Sequence, residues 1–296
     1  MSVSTGLAPI AARRRNTDRA MRGVLLALTL VALVPLVLIV WELLRKGLGA
    51  WSGDFFTTDP TGRTCFAGQT TCSIGGVKSA ILGTIEIVAL AAVIAIPFGI
   101  GVALYLVEYG KTGRFAQAVR YFVDVMTGVP SVVFGLFVYI VLVVTGVGGT
   151  FAAWKGSIAL ALLMLPVVTR SSEVVLNLVP NQLRESALAL GAPRWKVIFR
   201  IVLPTAGPGL LTGSMLAIAR AAGETAPLLF TSFSLLGTSF ALGSQMNSLP
   251  IQIFNDVQAP NDEIVQRAWG SALTLVLGVL LLTTIARIAQ RRSKLS

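Results

Sequence analysis

Histidine is missing from this 296-residue chain altogether, cysteine occurs only twice, and charged residues make up only 12% of it. Without histidine the chain lacks the usual zinc ligand and the usual general base, and two cysteines do not make a cysteine-rich metal site. No metal site is expected. So little charge beside 54% hydrophobic residues leaves too little polar surface to cover a globule in water. A regular series of short alternating strands is also lacking, which argues against a membrane barrel. What remains is a set of apolar runs near the ~20 residues that cross a ~30 Å hydrocarbon core as helices. The expected fold class is an all-α polytopic membrane protein.

Six transmembrane helices are predicted. The first apolar run, "GVLLALTLVALVPLVLIVW" from Gly23 to Trp41, follows a basic segment, 1–22. It is longer than a secretion-signal core and no small-residue cleavage pattern follows it, so it is read as a retained helix, 23–44. The second span lies between Lys78 and Glu108, the third between Val125 and Val147, and the fourth starts at Ser157. The fifth follows Pro204 and the sixth runs from Ala268 to Ile285. The fifth is read as one long span with Arg220 and Glu224 inside it, because splitting it would put the basic C-terminus on the other side. An outer loop, 45–78, precedes a core, 79–288, that carries a cytoplasmic loop, 178–204; residues 289–296 form a tail.

Positive charge orients these spans. Of the 24 lysines and arginines, sixteen fall on inner segments, six on outer loops, and Arg170 and Arg220 inside spans. Both termini are therefore expected in the cytoplasm. The net charge of +11 is then largely a topology signal with some attraction to anionic membrane lipid. Nucleic acid is not an expected partner, since no basic face with an aromatic platform accompanies the charge.

Several fragments invite a chemical reading. In "YLVEYGKTG" the Gly110-Lys111-Thr112 sequence matches the end of a phosphate-binding loop, but Tyr105 stands where its first glycine belongs and the preceding segment is a membrane helix. Work that consumes ATP would need another chain to bind it. Cys65 and Cys72 lie in the first outer loop, where they form either a disulfide or a pair of free thiols. The segment "ESALALGAPRWKVIFRIVLP", Glu185 to Pro204, reads as two short helices broken at Gly191, with Trp195, Ile198 and Phe199 offering apolar surface among cations. Such a piece either docks into a partner's groove or rests on the lipid surface.

The spacing of Glu185, Ala187, Gly191, Ile201, Leu203 and Pro204 resembles the E-A-A-x3-G-x9-I-x-L-P signature of binding-protein-dependent ABC importer permeases, with Ser186 in place of the first alanine. Two further stretches, "FVDVMTGVPSVVFGLF" and "RAAGETAPLLFTS", resemble the phosphate-importer branch, and the GETAPLL wording of the second resembles its PstA side more than its PstC side. The resemblance implies a type I ABC importer permease fold, with the signature loop fitting into a cleft of a cytoplasmic ATPase. It also implies a PstC-like permease as the other half of the path, two PstB-like ATPase subunits that bind ATP and Mg, and a PstS-like phosphate-binding protein outside. This chain itself would bind no cofactor and catalyse nothing. An importer of another oxyanion, sulfate or molybdate, shares the signature loop but not the GETAP wording. An ion-coupled secondary transporter would not need the loop.

A lone cation at the bilayer centre costs about 2.5 to 3.5 kcal/mol even on the mild insertion scale, so Arg170 and Arg220 need partners or water. Guanidinium matches phosphate well, and Glu224, four residues on, would hold Arg220 while the path is empty. Arg220, Glu224 and Arg170 are therefore the candidate path residues. The alternative is that Arg220 with Glu224, or Arg170 with Glu173, only locks helix packing. Glu86 and the "TGVPS" stretch, Thr127 to Ser131, are further polar features without an assigned role.

Overall fold

The computed structural model describes residues 12–61, 74–110 and 113–293. Cys65 and Cys72, and with them the expected disulfide, lie outside the described residues. Helix α1 (Ala12–Ala50) has 39 residues, about 58 Å at 1.5 Å per residue, and so outruns the predicted 23–44 at both ends. Its apolar stretch is bounded by i,i+4 ion pairs, Asp18 with Arg22 at 2.8 Å and Glu42 with Lys46 at 2.9 Å, which suit a helix leaving the hydrocarbon. From Met21 to Trp41 every side chain of α1 is uncovered in this chain. It meets the body only near its C-terminal end, where Gly47 lies against Leu273 of the last helix.

After the short α2 (Gly53–Thr57), helix α3 (Lys78–Leu104) runs on into a π-helical turn, π1 (Tyr105–Gly110). An amphipathic α4 (Arg114–Gly128) buries Ala116 and Val123 and leaves Phe115 and Phe122 outward. It ends because Pro130 disfavours helical geometry at the residue before it, and Val129 is extended, with ψ 131°. The chain then turns by 103° into α5 (Ser131–Val138) and π2 (Tyr139–Val144). This corrects the predicted third span from Val125 to Val147. Only Ser131–Val144 forms its apolar arm, about 21 Å at 1.5 Å per residue, and "TGVPS" is the elbow that opens it.

Helix α6 (Ala153–Asn177) packs along α3 and forms the centre of the molecule, Ile87, Ala91 and Ala95 meeting Leu160, Met164 and Val168. Gly99 lets the two backbones close up, since a Cβ there would sit 2.8 Å from a Val168 methyl. Helices α7 (Asn181–Ala189) and α8 (Arg194–Val197) and the π-turn π3 (Ile198–Val202) form the predicted cytoplasmic loop and lead into α9 (Leu203–Ala222).

Here the prediction of one long fifth span is also corrected. α9 stops at Ala222, Gly223 to Thr225 break the helix, and a separate α10 (Ala226–Thr231) follows, packed against α5 and α6. Pro227 has no N–H, so a continuous helix would leave the Gly223 carbonyl without its donor. A loop leads to α11 (Leu249–Val257), and α12 (Asp262–Ser293) closes the chain. Among the described residues five helices are long and apolar enough to span a membrane, six if the bent pair of α4 and α5 with π2 counts as one span.

The ends of the helices expected to lie outside are pinned by buried polar groups. Arg267 of α12 donates to both oxygens of Asp256 at 2.8 and 2.7 Å, and Gln252 donates to the same carboxylate. Lys155, fully buried at the start of α6, gives its ammonium to the carbonyls of Leu142, Gly149 and Thr150. Both cations belong to the six counted on outer loops, yet each is a packed group with specific acceptors. Asp59 accepts from the backbone and hydroxyl of Thr238 at 2.9 and 2.6 Å, tying the first outer loop to the one after α10. Burial pushes the Asp59 carboxyl up, but the Thr238 hydrogen bonds and the Lys78 charge outweigh it, so its pKa lies below the ordinary carboxylate value. A lowered carboxylate pKa stabilises the fold above that ordinary value, and the tether weakens only as acid takes the pH down through the folded-state value.

Candidate functional site

The signature loop is ordered by its glycine. Gly191 has φ +79°, the left-handed region that favours glycine. Its N–H donates to Leu188 O at 2.9 Å, and the Ala192 N–H to Ala187 O at 3.2 Å. These are the paired bonds of a Schellman ending, which closes α7 and sends the chain back toward α8. The distance in sequence from Ala187 to Gly191 is thus set by hydrogen bonding. Ala187 is itself buried, in one cluster with Val179, Val197 and Val202, against which Ile201 of π3 and Leu203 at the start of α9 pack. Pro204 is the second residue of α9 and follows directly on π3, where the Leu203 N–H reaches back five residues to Ile198 O.

The loop's other face is uncovered. Leu190 is 89% exposed and Trp195 59%, with Glu185 also outward. Behind it a cavity of about 550 Å³ opens between the loop and π1, lined among others by Glu108, Arg184, Glu185 and Arg194.

Two ionic groups join the membrane helices beside that cavity. Arg184, in α7, reaches Glu108 of π1 at 3.0 Å and also donates to the carbonyls of Leu176, at the end of α6, and Val179, in the turn that follows it. Deeper, Arg120 of α4 donates to Glu173 at 2.6 Å, Arg170 to the other oxygen of Glu173 at 2.7 Å, and Arg170 also to Asp124 of α4. Two arginines and two carboxylates thus form a balanced cluster that ties α4 to α6. Glu173 is buried, whereas Arg170 and Asp124 are 39% and 50% exposed. The sequence singled out Arg170 and Glu173. It missed Asp124, Arg120, Glu108 and Arg184, whose partners lie up to 76 residues away, beyond any helical spacing.

Arg220 and Glu224 are brought together only loosely. Their closest approach is 3.9 Å, between Nε and Oε1, and Glu224 lies in the break after α9 instead of one turn along the same helix. Arg220 is 53% exposed and Glu224 18%. Thr212, Leu216, Arg220 and Gly223 follow one another at helical spacing and are all uncovered in this chain. This stripe on α9 crosses membrane depth with a cation on it. Facing hydrocarbon it would be costly, so it calls for water or another protein.

Residues 95–294 match the family described as binding-protein-dependent transport system inner membrane component. The chain is 40% identical to the phosphate transport system permease protein PstA 1 of Mycobacterium tuberculosis, over 97% of this chain and 93% of the relative. It is also 40% identical to the phosphate transport system permease protein PstA of Yersinia pestis, over 95% and 92%. Among solved structures, a chain of a bacterial alginate ABC transporter, in complex with an alginate pentasaccharide-bound periplasmic protein, superposes with a TM-score of 0.65. It is 16% identical, over 95% of this chain and 96% of that one, and bears on the fold alone.

Proposed function

From the premise that the chain belongs to the binding-protein-dependent transport permeases, in their PstA branch, we propose that it forms half of the translocation path of an ATP-driven phosphate importer. The observation that carries this reading is the near full-length likeness to phosphate permeases at 40% identity. The geometry supports it in two places. The uncovered apolar tip around Leu190 and Trp195 is a seat for a separate ATPase, which supplies the ATP and Mg chemistry this chain does not perform. The uncovered α9 stripe faces a second, PstC-like permease across the path, which resolves the cost of its exposed Arg220.

In this reading phosphate, delivered by a PstS-like binding protein, meets the guanidinium of Arg220, whose hold on Glu224 is loose enough to exchange for an anion with several acceptor oxygens. Glu224 then retakes the arginine and keeps the site from trapping its cargo. Arg170 stands at the inner end of the same route, already balanced by Asp124 and Glu173, where a net-neutral cluster would let the anion go. Two PstB-like ATPases beneath drive the alternation. The chain is a noncatalytic, multi-pass subunit of the cytoplasmic membrane with both termini inside.

The test is reconstitution. The complex purified through this chain and placed in liposomes should accumulate phosphate with ATP, and neither sulfate nor molybdate. Accumulation of another oxyanion would replace phosphate, and uptake driven by an ion gradient without ATP would replace the importer reading. For orientation, single cysteines at Ser4 and Ser293, with Cys65 and Cys72 replaced, should resist a membrane-impermeant thiol reagent in intact cells. Efficient labelling of either would reverse the topology.

A further inference from the structure

The docking seat and the membrane helices are linked by a few side chains beside a cavity. Arg184 is in α7, the half of the loop that precedes Gly191, and its guanidinium spends its donors on three elements. Nε and Nη2 meet Glu108 Oε1 at 3.0 Å, Nη2 reaches Leu176 O at 2.8 Å, and Nη1 reaches Val179 O at 2.6 Å. Glu108 belongs to π1, and both side chains are only 14% exposed. Two residues before Glu108, the Leu106 carbonyl accepts from Arg120 Nη2 at 2.9 Å. Arg120 continues to Glu173, and Glu173 to Arg170 and Asp124. Two sets of hydrogen bonds, joined by the two residues of π1 backbone between Glu108 and Leu106, therefore lead from the loop to the inner ends of α4 and α6.

The place of π1 in that series is informative. A π-turn is a wide, weakly favoured stretch of helix, and it reverts to α by a shift of one residue in hydrogen-bond register. Such a shift turns whatever follows by roughly 100° about the helix axis. The cavity of about 550 Å³, lined by both α7 and π1, leaves room for the movement.

We infer that Arg184 and Glu108 are the positioning pair through which movement of the docked loop reaches the membrane helices, with π1 as the part that changes register. This rests on the reading of the α7 and α8 loop as the ATPase seat. When the ATPase displaces α7, Arg184 pulls Glu108, π1 shifts, and the Leu106 carbonyl leaves or re-engages Arg120. The balanced cluster of Arg120, Glu173, Arg170 and Asp124 then rearranges, and α4 moves against α6.

Glu108→Gln tests this, because it removes the charge pair and leaves the bonds of Arg184 to the α6 carbonyls in place. In the purified complex in liposomes the expected result is an assembled transporter whose basal ATPase stays within about twofold. Phosphate accumulated per ATP hydrolysed should fall about tenfold, within the range of ordinary coupling energies. A pair that only caps α6 predicts an unchanged ratio, and that result would overturn the inference. If Glu108→Gln does not assemble, Glu108→Asp keeps the charge and shortens the arm by one methylene. An intermediate ratio then supports the relay and a normal one refutes it. Leu190→Asp, at the exposed loop tip, separates this from the docking reading. It should release the ATPase subunits during purification, and their retention would sink the seat whatever Glu108 does.

Discussion

Arg220→Gln is expected to lower phosphate uptake by about a hundredfold while the chain still inserts and assembles. Charge-assisted hydrogen bonds of a guanidinium to an anion are worth about 3 kcal/mol at their upper range, which is two powers of ten. Removing an intramembrane charge does not hinder insertion. Arg220→Lys should keep part of the uptake, because a point cation attracts phosphate without the two-pronged geometry. The loose 3.9 Å contact to Glu224 makes the opposing account sharp. If the pair only held helices, Arg220→Gln would strand Glu224, and adding Glu224→Gln would restore transport. Uptake near the unaltered rate in that double variant would place the phosphate path elsewhere.

The second large effect is expected at Gly191. A Cβ built there meets nothing within 4 Å, so a substitution acts through backbone strain alone and not through collision. A valine at φ +79° is strained by about 1–3 kcal/mol, and relieving the strain undoes the Schellman ending that sets the angle between α7 and α8. Gly191→Val should therefore uncouple ATP hydrolysis from uptake. Gly191→Asn, whose side chain tolerates the left-handed region, should couple nearly normally. The comparison is uptake per ATP in the two assembled variants. Equal coupling by both would show that the loop angle does not matter.

How far the sequence carries the structure differs by feature. Hydropathy marks the apolar runs, because burying apolar side chains in lipid is decided by composition over some 20 residues, but not where the third and fifth of them bend. Breaks are another matter. Pro208, between two glycines, stays inside α9, while Pro130 and Pro227 mark ends of helices. The difference comes from packing, since Pro227 sits so close to Gly135 of α5 that a Cβ there would come within 2.6 Å of it. The two bent arms hold each other, and neither run of residues encodes that alone. Signature residues were legible for a local reason, the bonds between Ala187, Leu188, Gly191 and Ala192 being within one turn of chain. Arg184 with Glu108, or Arg120 with Glu173, could not be paired from spacing, since tertiary contact alone brings them together.

The contrast between α1 and α6 bears on what each helix needs around it. From Met21 to Trp41 every side chain of α1 is uncovered in this chain, so its apolar surface is left to lipid or another subunit. With arginines before it and Glu42 after it, it can stand as the first anchor and fix the orientation of all that follows. Helix α6 has no such independence. It carries buried Lys155, Thr169 and Glu173 along with Arg170, and the acceptors of Lys155 and the arginine donor from α4 come from earlier parts of the chain. The charges of α6 are thus met by protein, from α4, π2 and the turn before α6, whereas the apolar length of α1 is left to whatever surrounds this chain.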